Sequence, residues 1–227
     1  MTAKEICSHR LTIVTGHYGT GKTEFSVNLA LALAGEGEQV MMADLDIVNP
    51  YFRSRERKAL LEDAGIRLIC SSQACSDADV PALPAEVLTI LENRDVRGVL
   101  DIGGDPVGAR VLARFRPKIL QEDYQLVYVL NANRPEVRTP ESAISYLRAI
   151  EATTGLICGG IVNNTHLCGE TTEREIRKGA DLAERVSRET EIPVLCHVAE
   201  ERFADHLSDL REPVFPITIK MKKPWEI

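Results

Sequence analysis

The sequence has no run of about 18 apolar residues, so no membrane-spanning helix is expected. Its first residues, Met1-Thr2-Ala3-Lys4-Glu5, lack the apolar core of a secretory signal, and the compartment predicted is the cytosol. Positive charge is in deficit. Against 34 Asp and Glu stand 27 Lys and Arg, a net charge of −7 that argues against a nonspecific nucleic-acid coat. The cysteines (Cys7, Cys70, Cys75, Cys158, Cys168 and Cys196) form no C-x-x-C pair and no ligand spacing for a metal or cluster. They read as reduced thiols in a chain too long to need disulfide staples. Cys158 and Cys196 lie in strand-like runs and are expected in the core, whereas Cys75 and Cys168 fall in loops and are the reactive candidates. Repeats, low-complexity tracts and linkers are absent too, and residues 1–227 are read as one domain.

What is present is an ordinary globular composition, 44% hydrophobic and 27% charged, and one stretch around which the rest is organised. Gly16-His17-Tyr18-Gly19-Thr20-Gly21-Lys22-Thr23 fits G-x-x-x-x-G-K-[ST], the phosphate-binding P-loop. The motif has a mechanism only between a strand and a helix. Arg10–Thr15 is short, β-branched and apolar, as a buried strand should be. Beyond the loop Phe25, Leu29, Ala32 and Leu33 recur at helical spacing, with Gly35 as the expected stop. Glycines let the loop turn tightly and bring N–H groups to phosphate oxygens, and the helix points its positive end at the same place. Lys22 would neutralise the β- and γ-phosphates, and the Thr23 hydroxyl would hold Mg²⁺.

Strands and helices alternate to the end, which predicts an α/β fold of three layers: a mostly parallel central sheet flanked by helices. Expected strands follow at residues 39–43, 66–70, 96–100, 126–130, 156–162, 192–196 and 214–219. Expected helices cover 53–64, 85–92, 107–115 and 200–207, with Pro117 breaking or kinking the fourth strand's successor. Thr139-Pro140 and the Thr172/Glu175 capping box start two more.

In open parallel sheets ligands sit beyond the carboxyl ends of the strands. Those ends here hold the P-loop, Asp44 and Asp46, Asp101, Asn131 and Asn133, and Asn163 and Asn164. Asp101 ends an apolar strand, the Walker B position, and would reach Mg²⁺ through a water. Gly103 and Gly104 after it offer unhindered N–H groups to a γ-phosphate, and Asp105 suits a helix cap. Of the other pair, Asp46 is assigned to orienting the attacking water and Asp44 to outer-sphere metal contact. Val48–Arg55 carries adjacent aromatics and two arginines, the makings of a switch that docks a partner through residues 47–55 or pins the loop to the core.

The loop, the Asp44-Leu45-Asp46 run and the Asp101-Ile102-Gly103-Gly104 run together resemble the MinD/ParA/CobQ group of P-loop ATPases. The resemblance implies ATP and Mg²⁺ as cofactors, slow hydrolysis driving a switch, and often a homodimer. By it Asp46 matches the water-positioning aspartate, Asp101 the Walker B aspartate, and Asn163 an adenine contact. The family's extra lysine is His17 here, followed by Tyr18 in place of glycine, and a partly charged imidazole is no reliable substitute. Arg53, Arg134 and Arg138 are the candidates to supply that positive charge instead, and each is read in the first place as a solvated surface arginine. The loop also resembles that of metallochaperone GTPases, but Asn163-Asn164-Thr165-His166 lacks the carboxylate that reads guanine, which favours ATP. A ligase of dethiobiotin-synthetase type and a non-hydrolysing nucleotide sensor are the other readings.

Overall fold

The computed structural model describes residues 2–45, 58–70, 86–104 and 106–221. Asp46, the segment 47–55, Cys75 and Asp105 lie outside these residues. Eight strands pair in one sheet: β1 (Leu11–Thr15), β2 (Val40–Asp44), β3 (Arg67–Cys70), β4 (Arg97–Asp101), β5 (Tyr124–Leu130), β6 (Cys158–Asn163), β7 (Val194–Glu200) and β8 (Val214–Ile217). Their order is β3-β2-β4-β1-β5-β6-β7-β8, and every pairing is parallel. Such a sheet must be covered on both faces.

The strands alternate between two cores with period 2. Leu11 and Ile13 of β1, Met41 and Ala43 of β2, and Leu126, Tyr128 and Leu130 of β5 join one core. There they meet α4 (Val87–Glu92), α5 (Pro106–Ile119), α6 (Pro140–Thr154) and α7 (Glu173–Thr190). Val14, Val40, Met42, Val127 and Val129 face the other way, onto α1 (Ala3–Ile6), α2 (Lys22–Gly35) and α3 (Lys58–Asp63). Each fully buried Leu or Ile contributes about 1.5–3 kcal/mol relative to exposure. The two cores therefore hold β1, buried along its whole length, in the middle of the sheet.

Several expectations need correction. The helix after β4 is not broken by Pro117: α5 continues to Ile119, and the Leu120 N–H still bonds the Arg116 carbonyl at 2.9 Å. Only the bond that Pro117 itself cannot donate is lost, and it falls in the last turns. Gly35 is the last helical residue of α2, while Gly37, at φ +83°, takes the left-handed turn. The helix expected over 200–207 is two 3₁₀ turns, Glu201–Phe203 and Asp205–Leu207, and its first residue, Glu200, belongs to β7. Thr139 and Thr172 do cap α6 and α7, Ser142 N–H bonding Thr139 Oγ1 at 3.3 Å and Thr172 N–H bonding Glu175 Oε2 at 3.2 Å. Cys7, Cys158 and Cys196 are buried and Cys168 is exposed. Burial pushes the Cys7 and Cys158 thiols up to about 12. Among the described residues no helix is long and apolar enough to cross a membrane.

Candidate functional site

β1 lies between β4 and β5, and the chain leaves its end in one direction for β2 and β3 and later in the other for β5 to β8. The crevice at that reversal is where an open α/β sheet receives ligands. Residues 16–23 fill it. Gly16, Gly19 and Gly21 stand at φ +149°, +74° and +82°, a backbone path that L side chains rarely adopt. Gly21 is the N-cap of α2 and has no side chain to accept from the first-turn N–H groups, so these point to an external acceptor. Thr20, fully buried, closes the loop internally by donating from Oγ1 to the His17 carbonyl at 2.9 Å. Lys22 is buried too, its Nζ 3.3 Å from the same carbonyl.

Three neighbours brace the loop from outside. The Val129 carbonyl approaches Gly16 so closely that a Cβ there would overlap it. Arg134 Nε donates to the Gly19 carbonyl at 2.6 Å. Asn164 Nδ2 donates to the carbonyls of Thr20 (2.9 Å) and Gly21 (3.2 Å). The ring of His17 packs edge-on against Tyr146 of α6, centroids 4.9 Å apart, while Tyr18 is half exposed.

On the opposite flank the sheet register sets two carboxylates side by side. Asp44 and Asp101 are Cα partners across β2 and β4, and register partners in a parallel pair share a face. Both are buried. Ser26 of α2, one turn after Thr23, donates to Asp101 Oδ1 at 3.4 Å, so Thr23 lies on the helix face turned toward Asp101. The donors of Thr23, Asp44 and Asp101 are all oxygens, the set a hard divalent cation takes. Among the described residues no cluster of three or more His, Cys, Asp or Glu could hold a metal alone. A cation at this place would complete its shell with phosphate and water, as Mg²⁺ does. Gly104 shuts the flank: a Cβ on it would stand 2.6 Å from Lys22 Nζ, 2.8 Å from Tyr18 N and 2.9 Å from Gly16 O.

The base-side expectation fares differently. Asn163 is fully buried and its amide is taken up internally: Nδ2 donates to the Ile176 carbonyl at 3.0 Å and lies 3.2 Å from His197 Nδ1, and Oδ1 accepts from Thr165 N–H at 3.1 Å. Both the nitrogen and the oxygen of the amide are thus engaged inside the protein. This arises because Gly179 of α7 lets the helix press on Asn163 and Thr165 without a Cβ between them. Asn164 is the residue that touches the P-loop. The signal was present in the adjacent asparagines, but strand phase decided which one faces the loop. Counting a guanine-reading run from Asn164 puts Leu167, 45% exposed, in the carboxylate position. Neither register supplies a carboxylate. His166, considered above only for the carboxylate it lacks, also reaches the loop: its Nε2 lies beside Gly21, and its Nδ1 accepts from Cys168 N–H at 3.3 Å. Burial, then the nearby Arg134 charge, hold its pKa down to about 4.

Sheet order, crevice and loop together are those of the P-loop NTPase fold. Solved structures of that fold match the chain throughout most of its length. Cell division protein FtsY from Thermotoga maritima is 23% identical at a TM-score of 0.54, over 81% of this chain and 59% of that one. Signal recognition particle 54 kDa protein from Aeropyrum pernix K1, in complex with GDP, is 20% identical at 0.51, over 82% and 40%. Chloroplast FtsY from Physcomitrella patens is 14% identical at 0.56, over 81% and 56%. The chain thus spans between 40% and 59% of the length of these three structures. No protein-family model matches it, and the search of curated proteins found no match. At these identities the likeness establishes the fold, and the MinD/ParA/CobQ resemblance is carried by motifs alone.

Proposed function

We propose that residues 1–227 form one cytosolic nucleotide-binding unit of MinD/ParA-like type that binds a purine nucleoside triphosphate with Mg²⁺ and hydrolyses it slowly as a switch. One observation carries the reading: Asp44 and Asp101 stand in register at the strand ends that flank a glycine-shaped, lysine-bearing loop. A bound Mg²⁺ would supply positive charge to the phosphate tail, held through Thr23, Asp44 and Asp101.

The chain's own groups do the rest. The N–H groups of residues 19–23 would wrap the β-phosphate, and the α2 dipole would add to their field. Lys22, desolvated inside the loop, would neutralise charge on the transferred phosphoryl group, where an ammonium acts more strongly than in water. Asp46 keeps the role of orienting water for in-line attack, by motif. The reading places ATP ahead of GTP because neither Asn163–His166 nor Asn164–Leu167 offers the paired carboxylate acceptor that guanine needs. GTP is the competing nucleotide, since the Aeropyrum pernix neighbour was solved with GDP. A partner or second copy docking through residues 47–55 remains part of the proposal.

The test is phosphate release by purified protein with ATP or GTP and Mg²⁺, alongside Lys22→Ala. Loss of release and of nucleotide affinity in the variant is expected; equal rates in the two proteins would refute the reading. Competition between the two nucleotides decides the base.

A further inference from the structure

Pro135 keeps the residue before it extended, and Arg134 stands at φ −91° and ψ 119°. Its N–H bonds the Asn131 carbonyl at 3.0 Å and its carbonyl accepts from the Val137 N–H at 3.1 Å. Asn131 is buried in turn, with Nδ2 on the His166 carbonyl at 3.3 Å. The backbone that carries Arg134 is therefore fixed on both sides. Its side chain crosses to the P-loop, where Nε meets the Gly19 carbonyl at 2.6 Å and the guanidinium covers Gly19 so closely that a Cβ there would stand 2.6 Å from Cζ. Arg138, four residues on, is exposed, as expected of a surface arginine.

Arg134 is only partly exposed, and among the described residues no carboxylate pairs with it. A guanidinium carries five N–H donors, and the Gly19 carbonyl takes up Nε. It stands against the outer wall of a loop shaped for phosphate. We propose that Arg134 is a positioning residue for the phosphates: it holds the Gly19 carbonyl outside the loop and lends its charge to a polyphosphate bound within. The inference rests on the nucleotide reading above and goes beyond it, since the loop motif itself calls for a lysine and no arginine. It also assigns positive charge supplied from the chain's own β5–α6 connection beside a loop that carries His17 where the resembled family has lysine.

Calorimetric titration of wild type, Arg134→Ala, Arg134→Gln and Arg134→Lys with Mg·ATP and Mg·ADP tests it, at low and high salt and with melting curves of the nucleotide-free proteins. Arg134→Ala is expected to weaken ATP binding about tenfold, the usual loss for a charge-assisted bond, and to weaken ADP less. Arg134→Lys should recover part of the loss and keep the salt dependence, while Arg134→Gln should lose both because it carries no charge. Unchanged affinity in all three variants overturns the inference and leaves the nucleotide reading standing. Equal loss in all three with equally lowered melting overturns it as well, since a bare brace would behave so. Wild type that binds neither ATP, GTP nor pyrophosphate removes the nucleotide reading itself.

Discussion

Substituting Gly104 by alanine adds one methyl group at the point where the β4 end meets the phosphate loop. No positive φ is required at this position, so the change acts through space alone. The new carbon would stand 2.6 Å from Lys22 Nζ, 2.8 Å from the Tyr18 nitrogen and 2.9 Å from the Gly16 carbonyl oxygen. The lysine tip can swing aside, but the other two atoms are main chain. Restoring ordinary contact needs a retreat of about 0.6 Å by one of the two segments. Overpacking of this kind costs about 1–3 kcal/mol. In the nucleotide-free protein the loop can open outward and escape most of that cost; with phosphate inside, the loop must keep its closed path and bear it. Nucleotide affinity should therefore fall roughly 10- to 100-fold, while melting of the free protein falls by only a few degrees, about 2–4 °C per kcal/mol at this chain length. Calorimetry with Mg·ATP beside a thermal melt measures both. Gly35→Ala is the control, because nothing lies within 4 Å of a Cβ there and α2 should gain slightly. Binding by Gly104→Ala within twofold of wild type would refute the argument that this glycine seals the loop.

Two further outcomes follow from the same geometry. Asn164→Ala removes both amide bonds to the Thr20 and Gly21 carbonyls and should weaken nucleotide binding by about 1–3 kcal/mol. Asn163→Ala should instead lower the melting temperature and leave affinity of the folded protein near wild type; the reverse pattern in titrations would show that the two roles are exchanged. For His166 the folded pKa, about 4, lies below the ordinary 6.5 because burial and Arg134 disfavour the charged ring. A depressed histidine pKa stabilises the fold above the unfolded value and withdraws that stability as pH falls from about 6.5 toward 4. Urea unfolding of wild type against His166→Gln over that interval should show the variant losing less; parallel curves would exclude His166 as the source.

Much of the fold is legible in the sequence. The alternation of Val, Ile and Leu runs with amphipathic helices follows from local physics, and a run such as Leu126–Leu130, apolar on both faces, belongs in the middle of a parallel sheet. Cys158 and Cys196 are buried in strands and Cys168 is exposed in a loop, as their settings predicted, whereas Cys7 is buried at the C-cap of α1 with no such signal. Boundaries were less legible. Pro117 looked like a helix end, but its cost is one hydrogen bond near a terminus, and the packing of Leu112, Phe115 and Ile119 outweighs it. Arg134 and Arg138 are alike by composition; only the path of the β5–α6 connection turns one inward and leaves the other in water.

The sequence by itself determined that a glycine-rich turn with Lys22 and Thr23 follows a buried strand and opens a helix, since those properties depend on residues a few positions apart. It determined equally that carboxylates end the second and fourth strands. Tertiary structure decided which distant groups meet that turn. Asp44 faces Asp101 because β4 inserts between β2 and β1. Asn164 and not Asn163 braces the loop because the pleat of β6 turns one outward and Gly179 lets α7 enclose the other. Arg134 reaches Gly19 across 115 positions of chain. Such pairings depend on strand order and side-chain phase, which emerge only when the two cores pack and no stretch of neighbouring residues encodes them.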